Sequence, residues 1–392
     1  MKRKNMLLTG ALALLLLVSA AGMTANAGWL YQSESGWWQY QQEDGSLAKG
    51  WRYLGGNWYY FEENGTMATG WVQTDGYWYF FEENGAMYTG WKYDSGVWRY
   101  FYGGGSMAVG WAKIGEDWYY FDQSGVMATG KKYINGEDYR FYDDGRMYTG
   151  WKYDSGLWKY YDSSGAQVKN SWKYIDGCWY FFAPEGFASV SEVKTLWGKT
   201  YWFAESGAMK TGWRYENGYW YYHGSDGAMI ENGWSYIDGY WYYFGSEGKM
   251  VKNGTLEING KTYWFYPGGS MMTGWQQIGG AWFYLRSDGS QVTNGWEYIN
   301  GYWYYFETDG RMRTEGIYEI DGHKFRIRAD GSMLTGWEQI GGAWFYYDGN
   351  GYQVVSDWRK INGYWYYFND NGRMATNQWI GNCYVDEYGH WI

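Results

Sequence analysis

One repeat of about 20 residues, GW-x6-W-[YF]-[YF]-x4-G-x-M-x-T, recurs along nearly the whole chain, and no other feature restricts the fold as much. Its lead position falls at Trp51, Trp71, Trp91, Trp111, Lys131, Trp151, Trp172, Val193, Trp213, Trp234, Thr255, Trp275, Trp296, Ile317, Trp337, Trp358 and Trp379. A slightly longer first copy begins at Trp29. In most copies a W-x-Y segment reaches Asn-Gly, Asp-Gly or Gly-Gly and continues into a Trp-Tyr-Tyr-Phe run. That order predicts a short strand, a tight turn with positive φ, and a second strand of good β-formers. A glycine at the next turn, such as Gly65 or Gly85, releases the chain into the following copy. A lone two-stranded hairpin is marginal in water, so the hairpins must stack on their neighbours. The expected fold is all-β: an elongated β-solenoid, or superhelix, of stacked short β-hairpins with 20–21 residues per repeat. No long aliphatic stretch of helical period interrupts it after residue 27.

A second period lies above the first. The leads at Trp151, Trp213, Trp275 and Trp337 are each 62 residues apart, which marks a duplicated block of three hairpins. Copies that lack the Trp pair keep the same spacing: Lys131, Val193, Thr255 and Ile317 lead, with Asp138, Thr200, Thr262 and Lys324 at the second Trp position. The expected organisation is a secretion signal at 1–27, repeats of 20-residue period at 28–150, and repeats of 62-residue super-period at 151–392. A strict phase suggests a duplicated geometric or functional constraint; a common ancestor with one poor copy is the neutral alternative. If each hairpin turns about a third of a revolution, the Trp-free copies line one flank.

The first residues read as an export signal. Lys2, Arg3 and Lys4 precede an apolar run from Met6 to Val18, and Ala25-Asn26-Ala27 is a small-residue cleavage site. The run is short for a membrane span and no stop-transfer segment follows, so no membrane insertion is expected. Without the three basic residues the formal charge falls from −10 to −13, which argues against nucleic acid and anionic lipid. Cys178 and Cys383 make no disulfide framework, and His223, His323 and His390 fall at non-equivalent repeat positions, so no metal site and no cofactor are expected.

Aromatic residues form 24% of the chain, where an ordinary core would use Leu, Ile and Val. Trp and Tyr at fixed positions of an exported chain suggest ligand cages as much as core packing. GWRYLGGNWYYFEENGTMATGW, Gly50–Trp71, resembles the choline-binding, or cell-wall-binding, repeat of Gram-positive surface proteins. The glucan-binding repeats of extracellular glucosyltransferases and the repeat regions of clostridial toxins are similar but carry fewer Trp pairs. The resemblance implies a superhelix of hairpins whose neighbours enclose the trimethylammonium of choline on teichoic acids. A quaternary ammonium donates no hydrogen bond, so aromatic faces and apolar contact must hold it, at ~0.5–2 kcal/mol per ring.

Carried over by position, the pairs are Trp51/Trp58, Trp71/Trp78, Trp91/Trp98, Trp111/Trp118, Trp151/Trp158 and Trp172/Trp179. The others are Trp213/Trp220, Trp234/Trp241, Trp275/Trp282, Trp296/Trp303, Trp337/Trp344 and Trp358/Trp365. The third ring is expected two residues after the second Trp of the following repeat, as Tyr100 for Trp71/Trp78. The equivalents are Phe80, Tyr120, Phe181, Trp202, Tyr243, Trp264, Tyr305, Tyr367 and Tyr384. By the same rule Arg140 and Arg326 would impair the Trp111/Trp118 and Trp296/Trp303 sites. Met67, Met87, Met107, Met127 and Met147 either floor the sites or pack the core.

No catalytic constellation stands out, because Asp and Glu sit mostly at turns, as in Glu62-Glu63 and Asp143-Asp144. The expected function is a secreted, non-catalytic protein bound to choline-bearing teichoic or lipoteichoic acid, or to another cell-wall polysaccharide. A glucan binder with sugars stacked on Trp, and a structural adhesin whose repeats form a rod, are the alternatives.

Overall fold

The computed structural model describes residues 26–392; the basic and apolar parts of the expected secretion signal lie outside the described residues. The chain divides into two compact units, the second beginning at Val190. In both, short strands pair into antiparallel hairpins, as Gly50–Leu54 does with Asn57–Phe61. One hairpin gains a third short strand, Met209–Lys210. No helix forms among the described residues.

The turns explain the recurring Asn-Gly and Gly-Gly pairs. Gly55 and Gly56 have φ of 57° and 90°, and Asp75 and Gly76 have 52° and 80°. Two successive residues in the left-handed region match the twist of the flanking strands.

Register gives each hairpin two unlike faces. Trp51 stands opposite Tyr60 and Tyr53 opposite Trp58, so those four side chains share one face. Arg52, Tyr59 and Phe61 lie on the other. Within each unit hairpins stack with unlike faces in contact. Trp51 meets Tyr79 at 4.7 Å and Phe81 at 5.7 Å, both from the far face of the next hairpin. The terminal ring of the second strand is the core, and Phe61, Phe81, Phe101 and Phe121 are all but inaccessible. Burying each such ring contributes about 2 kcal/mol.

The backbone stitches neighbours together at the same place. Met87 N–H donates to the Trp58 carbonyl of the preceding hairpin at 2.8 Å, and Tyr88 N–H to Phe80 of its own at 2.8 Å. The Met87 thioether then lies against Gly105 of the following hairpin, where a Cβ would stand 2.1 Å from Sδ. Gly105 therefore provides space as well as its φ of 81°.

Hairpins led by Lys131, Thr255 and Ile317 form as the others do, and the one led by Val193 forms with a four-residue first strand and the added third strand. What changes is the residue that covers the missing Trp. Tyr161, His223, Leu285 and Tyr347 stand where most repeats use Phe, each fully buried, although Ile327 also replaces Phe over the intact Trp296. In three of the four covering repeats the stitching Met is also replaced, by Gln167, Gln291 and Gln353, while Met229 keeps it in the fourth.

Candidate functional site

The two Trp of a hairpin come from different strands and lie diagonally on one face. Trp51 and Trp58 have ring centroids 6.3 Å apart and planes at 82°. Trp71/Trp78, Trp91/Trp98, Trp151/Trp158, Trp213/Trp220, Trp275/Trp282 and Trp337/Trp344 repeat the arrangement at 6.0–6.3 Å. Trp111/Trp118, Trp172/Trp179, Trp234/Trp241, Trp296/Trp303 and Trp358/Trp365 hold the same register positions. The long first copy adds a pair that spacing alone did not single out, Trp29/Trp38, at 6.4 Å and 86°.

The second Trp of every pair is 37–45% exposed. Trp98, Trp118, Trp158, Trp179, Trp220 and Trp365 are all exposed rings at the protein surface rather than walls of a closed cage. Their place beside the turn is the reason. The next hairpin half-covers most leading Trp, at the far end of the first strand, and leaves the second Trp outside the joint, whereas Trp71 and Trp29 stay 38% and 37% exposed. Trp98, Trp158, Trp179 and Trp220 lean instead on the cross-strand rings of Tyr93, Tyr153, Tyr174 and Tyr215 at 5.0–5.2 Å. Trp118 and Trp365 have no such ring, because Lys113 and Lys360 stand opposite them. Each of these second indoles is therefore partly open to solvent.

The third ring comes from one residue earlier than the sequence rule places it. Tyr79, Tyr119, Tyr139 and Tyr180 stand 4.7–5.0 Å from Trp51, Trp91, Trp111 and Trp151. In the second unit Tyr242, Tyr263, Tyr304, Phe325 and Tyr366 do the same for Trp213, Trp234, Trp275, Trp296 and Trp337 at 4.8–5.0 Å. The rings two residues after the second Trp pack on the leading Trp of their own hairpin. Phe80, Tyr100, Tyr120 and Phe181 pair with Trp71, Trp91, Trp111 and Trp172. Tyr243, Tyr305, Tyr367 and Tyr384 pair likewise with Trp234, Trp296, Trp358 and Trp379. Trp264 is 8% exposed, packs on Phe283 at 4.9 Å and donates from Nε1 to Gln291 at 3.0 Å. Trp202 lies 6.0 Å from His223. The reason is the unlike-face stacking: side chains alternate along a strand, and the face that meets a Trp pair is the one its own Trp does not occupy.

The same shift moves the arginines. Arg140 pairs across from Lys131, and Tyr139 stands at the Trp111 site instead. Arg326 is held by Glu338 at 2.9 Å and Glu315 at 3.3 Å, leaving Phe325 at Trp296. The arginine that does reach a cage is Arg99, with its guanidinium 5.2 Å from the Trp71 ring centroid.

Three cavities show how much of the chain one site uses. Trp337, Trp344, Tyr366, Met374 and Tyr388 line about 280 Å3. Trp234, Trp241, Tyr263, Met271, Ser287 and Asp288 line about 270 Å3. Trp296, Trp303, Phe325 and Met333 line about 250 Å3, together with Gly349, Asn350 and Tyr352. Each takes its Trp pair from one repeat, its wall and Met from the next, and a turn residue from the one after. Met therefore floors the cavity and also packs between hairpins, because its backbone bond to the preceding Trp fixes it there. Sequence reasoning missed the turn residue, since nothing in the spacing says that three repeats meet.

Partial burial raises the phenols of Tyr304 and Tyr119 above their ordinary value, and Asp330, or Asp117 and Asp144, push the same way. Asp288 at the Trp234/Trp241 mouth is held down to about 2, first by the Ser290 hydroxyl and then by Ser290 N–H and Lys261, against its own desolvation. It is ionised at any physiological pH. Where the Trp pair is absent the chemistry differs: Asp138 lies 3.7 Å from Lys131 and 2.5 Å from Lys169.

No curated protein matches the chain. Choline binding protein F of Streptococcus pneumoniae, solved in the presence of a peptidoglycan analogue, is 30% identical over 68% of this chain and 98% of that one, with a TM-score of 0.43. The choline binding domain of Spr1274 from the same species is 38% identical over 20% of this chain and 95% of that one, TM-score 0.20. The modular autolysin LytC of Streptococcus pneumoniae is 25% identical over 58% of this chain, which spans 52% of that protein, TM-score 0.38. A cell wall binding repeat family matches residues 49–67, 170–186, 211–229 and 273–290. The choline-binding repeat family matches residues 68–109, 108–139, 128–172, 232–273, 293–333, 334–379 and 355–387, more than half of the chain, and the protein belongs to that family.

Proposed function

We propose that the protein attaches noncovalently to choline-bearing polymers of a cell wall, teichoic or lipoteichoic acid among them, through its aromatic cages and without catalysis. The hairpins would form an elongated solenoid, exported by the N-terminal signal and displayed at the cell surface. The observation that carries this reading is the Trp337/Trp344 cavity, where two indoles at 86°, Tyr366 and Met374 offer faces and a thioether but no charged group. Such a lining suits a cation that has methyls instead of N–H donors. One cage is weak. Several cages meeting a polymer that repeats its ligand gain retention of ~10²–10⁴ over a single site.

Retention on a tertiary-amine resin tests the reading directly. Free choline should elute the protein, and the Met374 methyl signal should shift as choline is titrated. Retention on dextran that choline does not relieve would transfer the assignment to a glycan, and binding to neither would leave a structural rod.

A further inference from the structure

One cage in the first unit departs from the others in charge. The strand Val97–Phe101 presents Arg99 where other hairpins present the wall ring, and its guanidinium lies 5.2 Å from the Trp71 centroid. Arg99 Nε donates to the Ser124 carbonyl at 3.3 Å, so the turn of the next hairpin holds the side chain in place. The cavity is still open: Trp71, Trp78, Arg99, Met107 and Ser124 line about 280 Å3, the same volume as the aromatic Trp337/Trp344 cavity. The guanidinium has therefore changed the sign of the site without filling it.

Arg99 forms no ion pair with a carboxylate among the described residues, although Asp122 feels its charge. The nearest turn acid, Asp122, is directed into its own turn, where Oδ1 accepts from Ser124 N–H at 2.8 Å, Ser124 Oγ at 2.6 Å and Val126 N–H at 2.9 Å. Both Nη groups of Arg99 keep their donors, in a planar fork that fits two oxygens of one anion.

We propose that the Trp71/Trp78 cage excludes quaternary ammonium and takes an oxyanion, a phosphate or carboxylate group, on Arg99. The proposal rests on the reading of the remaining cages as cation sites. The chain would then hold one anion receptor among cation receptors and grip a polymer by groups of both signs.

Methyl-labelled methionine spectra of the full chain read the cages separately, Met107 reporting this one and Met374 the Trp337/Trp344 cage. Inorganic phosphate should shift Met107 and leave Met374 still, whereas choline should shift Met374 at concentrations about tenfold below any effect on Met107. Arg99→Tyr, which installs the ring used by other hairpins, should abolish the phosphate response and bring Met107 into step with Met374 for choline. Choline moving Met107 and Met374 together in the unaltered protein overturns the proposal, and so does phosphate leaving Met107 unmoved. If choline moves no methionine at all, the wall-polymer reading fails, and the phosphate response still decides this one.

Discussion

Two kinds of joint connect the hairpins, and they differ at three places together. At the joint led by Trp275 the indole meets Tyr304 at 4.9 Å and Phe306 at 5.9 Å, and Met312 N–H bonds the Trp282 carbonyl. At the joint led by Thr255 the ring in contact is Trp264, packed on Phe283, while Leu285 covers and Gln291 takes the place of Met. Losing the Trp is thus accompanied by a change in the ring that would have covered it and usually in the thioether. These copies are re-fitted joints rather than damaged ones. The Trp pair serves packing through its first member and an open face through its second.

The sharpest way to break that division is to truncate each member. Trp275→Ala removes ring contacts inside the joint and should cost about 3 kcal/mol in urea unfolding while emptying the cage. Trp282→Ala, at a position 37% exposed, should empty the cage equally for less than about 1 kcal/mol. Equal costs would mean that both indoles are structural.

Next in size is the joint covered by Tyr347. Its hydroxyl is buried without a hydrogen-bond partner, and burial pushes the phenol up to about 12. Tyr347→Phe should therefore raise stability by about 1 kcal/mol, measured by the same unfolding curve. A loss instead would show that the hydroxyl has a use that the packing does not reveal.

The joint covered by His223 should show its difference only in acid. Burial lowers its pKa below 6.5, and the Arg214 charge adds to this, against the Gly227 carbonyl that Nδ1–H bonds at 3.0 Å. Arg214 Nε donates to Nε2, which must then be unprotonated. A lowered histidine contributes stability that is fully present above pH 6.5 and is lost as the pH falls towards the folded value. His223→Phe should leave stability at pH 8 nearly unchanged and flatten the decline below pH 6.5. An unchanged acid slope would place the sensitive group elsewhere.

Hairpins, turns and pairs were legible in the sequence because each is a local matter. Asn-Gly and Gly-Gly dictate the turn, and the seven-residue gap from Trp51 to Trp58 dictates one shared face. Tyr79 and Arg99 were not legible as cage residues. Alternation says which side chains share a face, but not which face of the next hairpin it meets. Reading like against like put Tyr100 in the Trp71 cage and Arg140 in the Trp111 cage; unlike faces put Arg99 and Tyr139 there. The openness of Trp98 or Trp179 was equally hidden, since spacing does not say how far along a strand its neighbour's cover extends. Turn residues such as Asp288 and Tyr388 lie further out of reach, since they arrive from two repeats on.

The stacking of unlike faces is the central claim, and adjacent tyrosines test it. Choline titration of the Met374 methyl should weaken roughly three- to thirtyfold in Tyr366→Ala, the worth of one ring. Tyr367→Ala, whose ring packs on Trp358, should leave that titration unchanged. Weakening by Tyr367→Ala with no effect of Tyr366→Ala would contradict the stacking and every cage assignment built on it.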